Sequence, residues 1–165
     1  MCQNRMFDSP YDLLLKLYPF VLDTVYCRCL VSFFQALKFQ SESTRTFICK
    51  IFAEDDLRRI RDIGSTWREK QVLYWKGIEY RRDSEEFQEL IGHAFKSASL
   101  HPDFQKVLLA SGNHFLDKIA RSNNPAQTVL TKDEAISHFL RLKSNLIDFD
   151  DRAITISDSR PSLLQ

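Results

Sequence analysis

Two polar side chains, Gln35 and Lys38, interrupt the most hydrophobic stretch of the chain, which reads YCRCLVSFFQALKF from Tyr26 to Phe39. Its apolar residues recur at i, i+3, i+4 and i+7: Leu30, Phe33, Phe34 and Leu37. This spacing predicts a largely buried helix from Leu30 to Gln40. Gln35 and Lys38 share a second face of that helix, with Val31 one turn before Gln35.

An ammonium on a buried helix must pair with an anion or reach water, because an uncompensated buried charge is costly. In one interpretation, Lys38 extends to solvent at the helix end and Gln35 bonds to a loop. In the other, both side chains line a pocket for a polar or phosphorylated ligand. The residues alone leave both interpretations open.

The composition limits the classes of protein to which the chain can belong. Its 165 residues, 44% hydrophobic with thirteen Phe, suffice for one domain with a continuous core. A net charge of +1 argues against binding to duplex nucleic acid. Four glycines, without GxGxxG or GxxxxGK[ST], exclude a glycine-rich phosphate loop.

The cysteines and histidines do not follow a metal-binding pattern. The cysteines are Cys2, Cys27, Cys29 and Cys49. Because CxxC pairs and HExxH are absent, we expect no metal and no cofactor, and reduced thiols in a cytoplasmic protein. The N-terminus lacks the apolar core of a signal peptide, and no apolar run is long enough for a membrane span.

Start and stop signals predict a mainly α-helical α+β fold, compact and with a few short strands. Two strands around Asp23-Thr24 are predicted within Phe20–Arg28, because this segment carries β-branched and aromatic residues. The predicted helices cover 10–17, 30–40, 46–52 and 54–63, with further helices starting near Asp83, at Pro102 and after Thr131. We expect one domain over 1–147 and a polar tail over 148–165.

Several local features are predicted with these elements. Ser9 is expected to cap the first helix, and Gly112 to end another in a left-handed conformation. Capping boxes are expected at Asp83 with Glu86 and at Thr131 with Glu134. The residues expected to face inward on the last helix are Ala135, Ile136, Phe139, Leu140 and Ile147. Those expected to form a solvated face are Arg58, Arg59 and Arg61.

Four segments occur in an order that resembles the NADAR family, also called YbiA-like. They are LYPFVLD, CLVSFFQALKF, LYWKGIEYRRDSEEFQELIGHAF, and LLASGNHFLDK with TVLTKDEAISHFLRL. The resemblance covers Leu17 to Leu146. It implies a compact, mostly helical domain that hydrolyses the N-glycosidic bond of a ribosyl-phosphate or ADP-ribosyl adduct without a metal. The implied partner is a ribosylated or ADP-ribosylated small molecule or nucleobase.

The resemblance also implies which side chains bind the substrate. Phosphate oxygens suit Lys and Arg, and a base suits an aromatic face. The implied binding residues are Gln35, Lys38, Trp75, Arg82, Gly112 and Asn113. For several of them a structural role is the alternative: Trp75 as a core residue, Arg82 as a partner of Asp83 or Glu86, and Gly112 with Asn113 as a helix cap.

The sequence departs from the family pattern where the chemistry is expected. Val31 stands where the family has its catalytic Glu. Leu15 and Lys16 replace a Ser-Asn pair, Ser111 replaces a Thr, and Lys118 stands where a His often follows the Gly-Asn turn. Because valine cannot take a proton or stabilise a cation, the resemblance describes a divergent member.

Two hypotheses follow from this departure. The chain could be an N-glycosidase in which another carboxylate substitutes, with Asp23 the first candidate and Glu54 or Asp55 the next. Alternatively, it could be a catalytically degenerate module that binds ADP-ribose or a related nucleotide. Val31 favours the second hypothesis, and the retained Gln35 and Lys38 are compatible with both.

Overall fold

The computed structural model describes residues 9–158, and of 154–158 only the helical backbone. Cys2 and the end of the expected tail, 159–165, lie outside the described residues. Within that range, two small antiparallel hairpins are embedded among helices, which confirms the mainly helical α+β prediction. No helix in this part of the chain is long and apolar enough to cross a membrane.

The elements follow one another along the chain, with short 3-10 helices at Gly64–Thr66 and Asn113–Lys118. They are α1 (Pro10–Leu17), β1 (Phe20–Leu22), β2 (Val25–Cys27), α2 (Leu30–Ala36), α3 (Glu42–Cys49), α4 (Glu54–Ile63), α5 (Trp67–Lys70), β3 (Val72–Trp75), β4 (Ile78–Arg81), α6 (Glu85–Ala98), α7 (Pro102–Ala110) and α8 (Lys132–Asp158).

The first elements form as the sequence predicts. The Ser9 side chain accepts a hydrogen bond from the Tyr11 amide at 3.2 Å, which caps α1. The β1–β2 hairpin turns through Asp23 and Thr24, whose φ angles are 47° and 68°. Two left-handed residues give the turn a twist that matches the strands, and Asp tolerates this conformation.

Helix α2 lies at the centre of the core. Its apolar stripe from Leu30 to Leu37 is fully buried. The Phe33 ring packs edge-on against Trp75 at 5.0 Å between centroids, and Phe34 lies 6.2 Å from Phe95 of α6. These contacts fix the rotation of α2 and therefore the direction of its second face.

Helix α2 ends at Ala36, not at Gln40 as predicted, because other parts of the chain bind its last carbonyl groups. The Leu37 carbonyl accepts from the Tyr74 amide of β3 at 2.8 Å. The Arg45 guanidinium donates to the carbonyls of Phe39 and Gln40. These bonds from outside the helix satisfy groups that would otherwise continue the helical ladder.

Two other helix boundaries differ from the predictions. Helix α3 begins at Glu42 rather than Thr46, because Ser41 caps it by accepting from the Thr44 amide at 3.3 Å. Helix α6 is capped by Ser84, whose side chain accepts from the Phe87 amide. Asp83, the predicted cap, instead pairs with Arg81 at the surface.

The end of α7 also differs. Gly112 has φ −76° and ψ 150°, so it is extended rather than left-handed. Helix α7 ends at Ala110, and Ser111 keeps a helix-like bond from its amide to the Val107 carbonyl. The glycine there does not serve as the predicted left-handed cap.

The last helix begins as predicted and continues to Asp158. The Glu134 carboxylate accepts from the Thr131 amide at 2.7 Å, and the Thr131 hydroxyl accepts from the Glu134 amide at 3.1 Å. This is a complete capping box. Leu140 and Ile147 were expected to face inward, but they are 41% and 46% exposed. Only the first turns of α8 lie against the core.

Candidate functional site

A cleft of about 560 Å³ lies between α1, α2 and α4. Its volume is in the range of small-molecule sites. The apolar side chains that line it include Leu17, Val31, Phe52 and Leu57. The polar and charged side chains that line it are Asp12, Lys16, Gln35, Glu54, Arg58 and Arg61. Below we call it the α1–α2–α4 cleft.

Helix α4 contributes one face to this cleft. Its lining residues are Glu54, Leu57, Arg58 and Arg61, which follow the i, i+3, i+4, i+7 spacing of a single helix face. Arg59 lies off that face and does not line the cleft. All three arginines are exposed, as the solvated-face prediction requires, but two of them face a concave surface. The helical spacing of Glu54, Leu57, Arg58 and Arg61 was the sequence signal that could have revealed this shared face of α4.

Gln35 and Lys38 lie together, as the sequence predicted. The Lys38 ammonium donates to the Gln35 side-chain oxygen at 2.7 Å. Both side chains are half-buried, and Gln35 lines the cleft with Val31. Lys38 follows the end of α2 and does not itself line the cleft, so it is connected to the cleft through its hydrogen bond to Gln35.

Positive charges surround the Lys38 ammonium. Its pKa is lowered from 10.5 to about 8, mainly by burial and then by the guanidinium groups of Arg68, Arg61 and Arg121. The Asp62 carboxylate raises this pKa, but its effect is the smallest. The ammonium is therefore charged at neutral pH but poorly compensated.

Arg121 brings a second half-buried cation close to α2. Burial lowers its pKa to about 10, against the opposing effects of Asp12 and Glu134. Its Nε donates to the Leu130 carbonyl at 3.0 Å, and its Cζ lies 5.4 Å from the Phe34 ring centroid. The side chain is therefore fixed in place and remains protonated at neutral pH.

Gly64 leaves room for the aliphatic part of the Lys38 side chain. A Cβ at residue 64 would lie 3.1 Å from the Lys38 Cδ and 3.2 Å from the Phe39 ring. Such contacts are tighter than ordinary van der Waals packing. The missing side chain at Gly64 therefore leaves the room in which the Lys38 methylenes pack.

Asp23 and Trp75 are brought together away from the α1–α2–α4 cleft. The Trp75 indole nitrogen donates to an Asp23 carboxylate oxygen at 2.8 Å, and Trp75 is 2% exposed. Asp23 lines a separate concave surface together with Glu79, Glu86 and Glu89. The bond to Trp75 stabilises the packing of the first hairpin on the core.

Arg82 is buried in an ion pair. Its guanidinium donates twice to the Glu134 carboxylate, at 3.0 and 2.7 Å, and its Nε donates to the Thr128 carbonyl at 3.0 Å. Glu134 also accepts from Gln88 at 2.9 Å. The pKa of Glu134 is lowered because its interactions with Arg82 and Thr131 outweigh the effect of burial. Arg82 pairs with neither Asp83 nor Glu86.

Gly112 and Asn113 lie at the start of a 3-10 helix and do not line the cleft. The Lys143 ammonium of α8 donates to the Ser111 carbonyl, and it lies 3.4 Å from the Asn113 side-chain oxygen. Of the alternative carboxylates, Glu54 lines the cleft and Asp55 does not. The predicted binding residues thus occupy four separate places.

Among the residues that the structure describes, no three His, Cys, Asp or Glu side chains converge in a way that could hold a metal ion. The polar groups that line the cleft are ammonium, guanidinium, amide and carboxylate groups. The ammonium, guanidinium and amide groups can bind and orient an anion, whereas the carboxylates repel it.

The fold and the cleft define a mainly helical α+β protein with a cavity of small-molecule size that is lined by three cationic and two acidic side chains. Residues 15–144 match the family model described as "Bacteriophage protein GP30.3", and the chain belongs to that family. No curated protein and no solved structure gives a significant match.

The family match corrects the resemblance to NADAR proteins. It covers residues 15–144, almost the span on which that resemblance rested, and no match to NADAR proteins was found. The N-glycosidase hypothesis and the ADP-ribose-binding hypothesis depended on that resemblance, and neither is supported. Two of its signature residues, Trp75 and Arg82, have structural partners instead.

Proposed function

We propose that this chain binds a small anionic molecule in the α1–α2–α4 cleft. Lys38 and Arg61 supply positive charge, and Gln35 supplies a directed hydrogen bond. Because the Gln35 oxygen accepts from Lys38, the Gln35 amide nitrogen is oriented as a donor. Apolar side chains such as Val31 and Leu57 provide contact area for the rest of the ligand.

The observation that carries this proposal is the environment of the Lys38 ammonium. Among the described residues, its one hydrogen-bond partner is the uncharged Gln35 side chain, and three guanidinium groups lie near enough to lower its pKa. A half-buried cation among cations is costly unless an anion compensates it. A bound anion beside Gln35 would do so.

The carboxylates that line the cleft restrict where the ligand charge can lie. Asp12 is buried and interacts electrostatically with Arg121, and Glu54 stands at the first turn of α4. An anionic group is repelled by both and attracted to the side of Gln35 and Arg61. We therefore expect a ligand with one anionic group and an uncharged remainder, rather than a long polyanion.

Calorimetric titration with phenyl phosphate and with benzoate as probe anions, each with one anionic group on an uncharged ring, tests the proposal. Arg61→Gln and Lys38→Met should each weaken binding by about tenfold or more, since a charge-assisted hydrogen bond contributes about 1.5–3 kcal/mol. Arg59→Gln is the matched control, because it removes the same charge from the same helix without changing the cleft.

If Arg59→Gln and Arg61→Gln lost the same amount of affinity for the probe anion, binding would depend only on the net charge of the protein. That result would contradict a defined site. The proposal would also be contradicted if neither probe anion bound to the unmodified chain at low ionic strength. Low salt matters because exposed charges such as Arg61 are screened at higher ionic strength.

We also predict that the protein acts in the cytoplasm. The prediction depends on the free thiols of Cys27, Cys29 and Cys49, which lie buried in a chain without paired cysteines among the described residues. Fractionation of cells that produce the protein checks this, and recovery in an oxidising compartment would contradict it.

A further inference from the structure

The second half of α8 extends beyond the core of the domain. From Ile147 to Ala153 every side chain is exposed. Seven consecutive residues of a helix point in all directions around its axis. No described element therefore buries this part of the helix on any side.

An apolar seam nevertheless continues into this exposed part. Its residues alternate at spacings of four and three: Ala135, Phe139, Leu142, Leu146, Phe149 and Ala153. That alternation is the pattern of a two-helix coiled coil. Exposure rises along the seam, from 1% at Phe139 through the half-buried Leu142 and Leu146 to 72% at Phe149. The chain's own core covers the first half of the seam, and no described residue buries Phe149 or Ala153 in the second half.

The charges beside the seam indicate what covers it. Lys143 and Asp150 are one heptad apart, and both occupy the position that directly follows a seam residue. When two copies of such a helix pack antiparallel, these flanking positions meet. Lys143 of each copy then faces Asp150 of the other, and the two-fold axis repeats this pair.

A parallel pairing lacks this complementarity. It would place Asp150 opposite Asn145 and Lys143 opposite His138, so neither charge would meet its opposite. Lys143 is half-buried and already contacts Ser111 and Asn113, while Asp150 is exposed. The second copy would therefore bring its carboxylate to an ammonium that is already held in place.

We propose that the second half of α8 is the docking surface for a second copy of this chain, packed antiparallel along the seam. Phe149 of one copy packs against the half-exposed Leu146 of the other, and Lys143 pairs with Asp150 across the axis. Two short helical segments bury less area than a permanent dimer interface, so the dimer is weak and concentration-dependent. It is independent of the α1–α2–α4 cleft, to which no described side chain of α8 contributes.

Sedimentation velocity of the full chain over a range of micromolar to submillimolar concentrations tests the surface. The unmodified chain should shift from monomer to dimer as its concentration rises, and Phe149→Glu should remain monomeric. Ser144→Glu is the matched control, because it adds the same charge to an exposed position on the outer side of the helix. Both substitutions are at exposed positions, so folding should be retained.

A charge exchange tests the antiparallel register. Lys143→Glu alone and Asp150→Lys alone should each weaken self-association, because like charges meet twice. A mixture of the two variants should restore the dimer as a heterodimer, and so should the double variant by itself.

A monomer at every concentration would overturn the proposal, and so would a dimer that Phe149→Glu leaves intact. Dimerisation that Phe149→Glu abolishes but that the mixed variants do not restore would overturn the antiparallel arrangement.

Discussion

Arg82 and Lys38 are both cations withdrawn from water, but the chain compensates them in different ways. Arg82 has a carboxylate that accepts two of its hydrogen bonds and a backbone carbonyl that accepts a third. Lys38 has a neutral amide and lies among other cations. Both residues were predicted to bind substrate, and the sequence did not distinguish them.

The difference shows how to recognise a charge that is available to a ligand. The charge of a buried cation that pairs with a carboxylate of the same chain is already compensated, and removing one partner is strongly destabilising. A charge with a depressed pKa and no opposite partner beside it costs stability in the free protein, and such groups concentrate at functional sites. Arg82 belongs to the first kind and Lys38 to the second.

The largest effect is expected from breaking the Arg82 pair. Arg82→Met should lower the free energy of unfolding by about 3–5 kcal/mol, because it leaves the Glu134 carboxylate half-buried without its cation. Urea denaturation measures this change. The neighbouring Arg81→Met is the matched control and should cost about 0–1 kcal/mol, because the pair of Arg81 with Asp83 is exposed. A small loss in Arg82→Met would contradict the structural role.

An effect of opposite sign is expected at Lys38. Lys38→Met should raise the free energy of unfolding at pH 7 by about 1 kcal/mol, because it removes a poorly compensated charge at the expense of one hydrogen bond to Gln35. The same variant should lose affinity for the probe anion. Gain of stability with loss of binding is characteristic of a residue kept for its function.

The stabilisation by Lys38→Met should depend on pH. The pKa of Lys38 falls from 10.5 in the unfolded chain to about 8 in the folded one, so between these values the unfolded state binds more protons. The penalty is therefore complete below pH 8 and disappears as the pH rises toward 10.5. Comparing both proteins at pH 7 and pH 9 isolates this contribution, and a constant difference would contradict it.

The smallest effect is expected from Asp23→Asn. Asparagine keeps an oxygen that can accept from the Trp75 indole and tolerates the φ of 47° at this turn. We expect a loss of less than about 1 kcal/mol and unchanged affinity for the probe anion. Intrinsic tryptophan fluorescence during denaturation measures the first quantity. A large loss of affinity would place Asp23 in the binding site after all.

The features that were predicted from the sequence are those encoded by neighbouring residues. The Ser9 cap, the turn at Asp23-Thr24 and the capping box of Thr131 with Glu134 each depend on side chains within a few positions of each other. The end of α4 before Gly64 is of the same kind. Such local interactions need no knowledge of the remaining chain.

The features that were missed depend on residues far apart in the chain. The end of α2 is set by the Tyr74 amide, and Arg82 is paired with a residue in another helix. Arg121, which raises the positive charge around Lys38, lies in a loop that carries no motif. The resemblance to NADAR proteins misled for a related reason, because Trp and Arg in a motif serve packing and pairing as readily as binding.

The hydrogen bond from the Tyr74 amide to the Leu37 carbonyl spans 2.8 Å and joins the second hairpin to the residue directly before Lys38. A ligand that binds the Lys38 ammonium therefore also affects strand β3, which is one peptide unit away and does not line the cleft. The hydrogen-exchange rate and the NMR chemical shift of the Tyr74 amide proton should therefore change when a ligand binds, although Tyr74 lies outside the cleft.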